Sequence, residues 1–207
     1  MLSANGILLA ESLSIFDPAS PHATSILKLA ILTLAVTGLI FLVVEGVLFY
    51  SVWRFREKPQ EVVAGEPPQV YGSMPIEVAW TAAPTMIVFF LVLVTTRTLW
   101  ETKTHLPEAT TGDKTLFVTV IGHQWWWEYV YETYDGRKLG VVTANELHIP
   151  ASDDTVSRPT FLSLKSADVC HSFWVPRLAG KMDLIPGRTN LLTLETKETG
   201  LRLWQCA

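Results

Sequence analysis

Two long apolar stretches constrain this chain more than anything else in its sequence. Residues 26–53 carry only Lys28 and Glu45 as charges, and residues 76–100 carry only Glu77 and Arg97. A bilayer crossing needs about 20 apolar residues. Both stretches meet that length, and two of them in 207 residues argue against buried helices of a soluble protein. Pro84 falls inside the second stretch, where neighbouring helices can satisfy the carbonyl it frees. Segment 54–75 between them is polar and opens with Arg54, Arg56 and Lys58. The positive-inside rule makes it a cytoplasmic loop. Both termini and the whole of 101–207 then lie outside. Tyr50, Trp53 and Trp100 fall where aromatic belts are expected. Glu45 is read as pairing with the Arg54/Arg56 end of its own span.

Residues 1–25 form an N-terminal outer segment. Its short apolar piece at 6–10 lacks a basic flank, and a signal region is one reading of it. Residues 101–114 read as a linker. From Thr115 the pattern turns to β: 115–121, 128–133, 160–165, 169–175 and 191–196 are strand-like runs with turn signals between them. Short strands at this spacing predict a small sandwich or Greek-key barrel. The fold class is therefore membrane α+β, a transmembrane helical hairpin over 26–100 followed by an extracytoplasmic β domain over 115–207. Sixteen Lys plus Arg against twenty Asp plus Glu leave a net charge of −4. Neither half is basic, which excludes a nucleic-acid footprint. Two cysteines are too few for a disulfide scaffold.

Three features of the outer domain bear on chemistry. Gly122-His123-Gln124-Trp125-Trp126-Trp127-Glu128-Tyr129 places three tryptophans in a β context. On a strand Trp125 and Trp127 would face one way and Trp126 the other. Burying all three is difficult, so at least one lies at a surface, as a packing edge or as an aromatic gateway for electrons. Next, Cys170 and His171 are adjacent, so strand alternation lets only one of them serve a given site. A lone histidine is often purely structural. Finally, Cys206 lies in Leu203-Trp204-Gln205-Cys206-Ala207. A thiolate with an imidazole from another strand suits copper. A Cys170–Cys206 disulfide competes, because the outer compartment is oxidising.

These residues resemble subunit II of the haem–copper cytochrome c oxidases, of the CuA-containing type. The likeness rests on the helical hairpin, on Glu77-Val-Ala-Trp80-Thr81, on the Gly-His-Gln-Trp run and on Ala144-Asn-Glu-Leu-His-Ile-Pro150. Its longest blocks are Ser166-Ala-Asp-Val-Cys-His-Ser-Phe-Trp-Val-Pro176 and Leu178-Ala-Gly-Lys-Met-Asp-Leu-Ile-Pro-Gly-Arg-Thr-Asn190. The resemblance implies a cupredoxin-like domain holding a dinuclear copper centre, CuA. His171 matches its first ligand, and Cys206 matches the first cysteine of a C-x-E-x-C-x-x-x-H-x-x-M loop whose remainder the sequence lacks. Cys170 is then a small buried hydrophobe turned from the metal. Trp125 matches the tryptophan that receives electrons from cytochrome c. Glu77 matches an acid at the mouth of a proton path.

Haems and oxygen reduction belong, by the same resemblance, to a larger catalytic subunit I. Partners are that subunit, other oxidase subunits, cytochrome c and membrane lipid, at a bacterial cytoplasmic membrane with the β domain on the periplasmic side. Glu108, Asp135, Glu146, Asp153 and Asp154 could steer a basic donor or simply form a solvated face. Two alternatives remain: a copper-free subunit II of quinol-oxidase type, and a copper-delivery protein. His171, Cys206 and the aromatic run oppose the first, and the paired spans with Glu77 oppose the second.

Overall fold

In the computed structural model residues 14–56, 69, 71–104 and 114–206 are described. They fall into two compact units, one of residues 28–99 and one combining the residues before 28 with those from 100 onward. Residues 1–13, with the apolar piece of the signal reading, lie outside the described residues, as do most of loop 54–75 and most of linker 101–114.

Helix α1 runs Pro21–Arg54 and helix α2 runs Met74–Thr102. Both extend the apolar stretches outward to capping residues. Ser20 accepts the Ala23 N–H at 2.9 Å, and Pro21 begins the helix where a missing N–H costs nothing. At α2 the Glu77 carboxylate folds back to accept the Ser73 N–H at 3.3 Å. An acid there also complements the helix dipole. At about 1.5 Å per residue, helices of 34 and 29 residues are about 51 and 43 Å long, against about 30 Å of hydrocarbon. Apolar side chains cover them on all sides: Leu42 is 68% exposed, Phe49 70% and Phe89 64%. Such helices require an apolar surrounding, and the hairpin is that of a membrane protein. Among the described residues Glu45 makes no pair with Arg54 or Arg56, contrary to the sequence expectation. Nine residues along one helix separate Glu45 from Arg54 by about 13 Å. Arg54 lies over the Phe55 ring instead.

The second unit is a two-sheet β-sandwich. Strands β1 (Leu116–His123), β2 (Trp126–Tyr134), β3 (Arg137–Ala144), β4 (Thr160–Ser166) and β7 (Asn190–Leu194) form one sheet in the order β3-β2-β1-β4-β7. Strands β5 (His171–Trp174), β6 (Met182–Leu184) and β8 (Gln205–Cys206) form the other, in the order β6-β5-β8. All pairings are antiparallel except β1 with β4. Register aligns Tyr129, Val120 and Leu164 in one rung across the large sheet, each with no exposed surface. Phe173 and Leu184 close over them from the small sheet.

The segment before α1 belongs to this unit. The Ala19 N–H donates to the Arg177 carbonyl at 2.8 Å, and the Ala19 carbonyl accepts from the Thr196 hydroxyl at 3.1 Å. The Arg177 guanidinium closes the strap on the Asp17 carboxylate at 2.9 Å.

Candidate functional site

Strand β1 ends at His123 and β2 begins at Trp126, and these two residues pair. Gln124 and Trp125 are therefore the tip of a hairpin. This corrects the expectation that Trp125 and Trp127 share one face of a strand, because the strand begins only at Trp126. Trp125 leaves the ladder and stands 91% exposed. Trp126 stacks on the His123 ring, with centroids 4.4 Å apart, and His123 Nε2 meets Glu128 Oε2 at 2.9 Å. Trp127 turns inward and is buried. Its ring makes edge contacts with His171, Phe173 and Trp204 at centroid distances of 5.8, 5.4 and 5.3 Å.

His171 opens β5 and lies over the end of β1. A Cβ on Gly122 would sit 2.8 Å from His171 Cδ2, so only glycine leaves room for the ring. Its Nε2 lies 2.7 Å from Asp168 Oδ1. An ionised carboxylate only accepts, so Nε2 carries the proton and Nδ1 is the nitrogen with a free lone pair. The Asp168 carboxylate also accepts the Gln124 N–H at 2.6 Å and the Val169 N–H at 2.6 Å. The hydrogen bond from His171, helped by those from Gln124 and Val169, holds its pKa down at about 2.

Cys206 pairs with Phe173 in the antiparallel β5–β8 ladder. Directly paired residues share a face, and so do residues two apart on one strand. Cys206 and His171 are therefore diagonal neighbours on one face of the small sheet. Cys170, of opposite parity, is exposed, which corrects its reading as a small buried hydrophobe. The strand starts only at His171, and Cys170 closes the turn before it on the outer side. Both cysteines are free, and opposite faces keep a Cys170–Cys206 disulfide from forming here.

Other predicted groups lie elsewhere. Glu77 belongs to the helical unit and caps α2. Glu108 lies outside the described residues. Asp135 sits in the β2–β3 turn at φ 51, where its backbone tolerates the left-handed region. Glu146 faces His148 at 3.6 Å, Asp154 bonds Lys197 at 3.0 Å, and Asp153 accepts from Thr155, Val156 and Arg158. Glu146 and Asp154 keep most of their surface exposed despite these pairs. Sequence reasoning missed Asp168, Gly122 and Trp127 as neighbours of His171.

The two units match known profiles separately. Residues 9–97 match the cytochrome C oxidase subunit II transmembrane domain, and residues 116–207 match the cytochrome C oxidase subunit II periplasmic domain. The chain belongs to the cytochrome c oxidase subunit II family. Cytochrome c oxidase subunit 2 of Alkalihalophilus pseudofirmus is 33% identical over 206 residues, covering 100% of this chain and 57% of the relative. That of Synechocystis is 30% identical, covering 79% of this chain and 58% of the relative. The chain thus spans a little over half the length of these two relatives. The crystal structure of the periplasmic domain of subunit II of cytochrome oxidase of Bradyrhizobium japonicum is 26% identical, with a TM-score of 0.38, covering 47% of this chain and 75% of that one.

For a subunit II chain the donor set can be tested against copper. An imidazole with Nδ1 free and a thiol on the same face are the right chemistry for a soft, thiolate-bound copper. Among the described residues no group of three or more His, Cys, Asp or Glu side chains is placed to hold a metal. The pair fits one corner of a copper site and does not complete it alone.

Proposed function

We propose that this chain is the electron-accepting subunit II of a respiratory cytochrome c oxidase, with His171 and Cys206 as two ligands of a CuA centre. The observation that carries the reading is the shared face of His171 and Cys206 beside the buried Trp127, next to a hairpin whose tip exposes Trp125. When bound, dinuclear copper supplies a one-electron store whose charge is spread over two metals. The chain's own residues do the rest. Trp125 presents an indole face to a haem protein such as cytochrome c. Asp168 orients the His171 ring so that Nδ1 faces the ligand side, as carboxylates commonly do for metal-binding imidazoles. Trp127, itself packed on Phe173, excludes water from one side of that ring. Electrons pass on to haems in a partner catalytic subunit, where oxygen is reduced with proton pumping. The β domain then lies on the periplasmic side, with 26–100 as the membrane anchor, 101–114 as linker and 115–207 as the copper domain.

In the assembled oxidase, His171→Ala should abolish the purple absorption and the mixed-valence spin signal of copper. Survival of that signal would remove His171 from the ligand set.

Glu77 is proposed as the proton-path acid on the cytoplasmic side. Its capping bond to Ser73 supplies the control. Glu77→Gln keeps an oxygen for the Ser73 N–H but holds no exchangeable acid proton, whereas Glu77→Ala loses both. Proton-coupled turnover should fall about a hundredfold in both variants, the lower end of what a positioned general acid–base group contributes. Helix stability should drop in the alanine variant alone. Full turnover with glutamine would leave Glu77 only the cap.

A further inference from the structure

At the tip of the Trp125 hairpin the Gln124 N–H lies outside the β ladder. The β1–β2 pairing ends at His123 with Trp126, and Gln124 N–H points away from it to Asp168 Oδ2, 44 residues further along the chain. Asp168 is itself fixed. Its own N–H donates to Ser166 Oγ at 3.2 Å, the same hydroxyl donates to the Val169 carbonyl, and the Ala167 N–H donates to the Gly122 carbonyl at 3.0 Å. The 166–170 turn is thus laced both to itself and to the end of β1. From that fixed position one carboxylate reaches two elements: Oδ2 takes Gln124, while Oδ1 takes His171 Nε2 and the Val169 N–H.

We propose that Asp168 is a positioning residue that clamps the Trp125 hairpin tip to the His171 ring, so that the two move as one unit. The proposal rests on the reading of Trp125 as the electron gateway and His171 as a ligand, and it adds the part that fixes their separation. Backbone continuity alone does not do this. Trp125 is on the β1–β2 tip in the large sheet and His171 is on β5 in the small one. Electron transfer between fixed groups is sensitive to that separation, and an unclamped tip with an indole 91% exposed would wander. The bridge is also short in bonds: peptide N–H, carboxylate, imidazole N–H. An anion serves both arms as an acceptor at once. An asparagine offers one acceptor oxygen and one NH2 group, which would face a donor on one of the two arms.

The test uses the full chain, metal-free, in detergent, as wild type, Asp168→Asn and Asp168→Ala. Amide hydrogen exchange at Gln124 should accelerate at least about tenfold in Asp168→Ala, the scale of a lost hydrogen bond to a charged acceptor. Exchange at Val120, in the sandwich core, should stay unchanged. The 15N signals of the His171 ring should move from a single Nε2–H tautomer to a mixture. In Asp168→Asn one of the two effects should persist and the other should vanish, because the amide satisfies only one arm. Gln124 exchange within about twofold of wild type in Asp168→Ala, an unmoved His171 tautomer in Asp168→Ala, or both readouts unmoved in Asp168→Asn would overturn the clamp. If the alanine variant loses Val120 protection, the asparagine variant alone decides. None of these readouts involves copper or turnover. A wild-type oxidase without a CuA signal would therefore sink the functional reading and leave the clamp standing.

Discussion

Phe49 on α1 is 70% exposed, whereas Phe173 on β5 has no exposed surface and lies between the rings of Trp127, Tyr129 and Trp204. The same side chain thus serves two kinds of order. In α1 and α2 the backbone groups bond within their own helix, except at the ends and at the carbonyl freed by Pro84, so the helices chiefly need an apolar solvent. In the sandwich the strands satisfy one another and the aromatic side chains exclude water themselves. Chemistry that needs a fixed geometry is better placed in the second setting, and that is where His171 is found. Its ring touches Trp127, a residue that is also core, so the packing that stabilises the sandwich is continuous with the packing that holds the candidate ligand.

The contrast can be broken by one pair of identical changes. Phe173→Ala should destabilise the sandwich by about 3–5 kcal/mol, the range for deleting a buried aromatic ring. Phe49→Ala should change stability in detergent by no more than about 0.5 kcal/mol. Denaturant unfolding of the full chain, followed by tryptophan fluorescence, reads both. Equal costs would mean that the two regions do not differ as their exposures indicate. A smaller effect comes from a second pair. Gly122→Ala would bring a Cβ within 2.8 Å of His171 Cδ2, while a Cβ on Gly46 in α1 meets nothing within 4 Å. The first should cost about 1–3 kcal/mol through overpacking and displace the His171 ring. The second should leave the helix unharmed or stabilise it by about 1 kcal/mol, as alanine replaces glycine in a helix interior. A Gly122→Ala chain with wild-type stability and an unmoved His171 resonance would show that the ring has room to yield.

These same two regions differ in how much of them the sequence displays. The helices are legible because a bilayer selects on length and apolarity alone, and the structure adds only the caps at Ser20 and Ser73. Strands β1, β2, β4, β5 and β7 show as short runs of β-branched, aromatic and aliphatic residues between turn signals. Strand β3 does not, since all but one of its residues are exposed and no face is marked by apolar residues. Strands β6 and β8, of three and two residues, are too short to carry a period. The hairpin tip at Gln124 and Trp125 is hidden because neither is a usual turn residue. His171 and Cys206 are readable as donors, but their common face depends on the β5–β8 register. The link from Asp168 to the hairpin tip has no local signal, because Gln124 is distant in the chain and the parallel β1–β4 pairing brings the two turns together.

The smallest expected effect tests whether a charge in the sandwich's turns matters to its stability. Asp153 accepts from the Thr155 hydroxyl at 2.6 Å, from the Thr155 and Val156 N–H groups at 2.9 and 2.8 Å, and from Arg158 at 2.8 Å. The Thr155 hydroxyl bond leads, with the two backbone bonds and Arg158 adding to it, and together they hold its carboxyl well below the usual carboxylate range. A depressed folded pKa means that the ionised acid stabilises the native state above the ordinary value of about 3.9. That contribution is lost as the pH falls from there through the folded value. Asp153→Asn should therefore lower the melting temperature of the sandwich slightly at pH 7, since an asparagine retains some turn hydrogen bonding. The gap to wild type should narrow as the pH drops below about 4, when the unfolded wild-type chain begins to take up a proton that the native state still refuses. The helical signal near 222 nm (about that wavelength for α1 and α2 alike) should not follow this titration, because Asp153 belongs to the other unit. A gap independent of pH would mean that Asp153 acts through the shape of its turn and not through its charge.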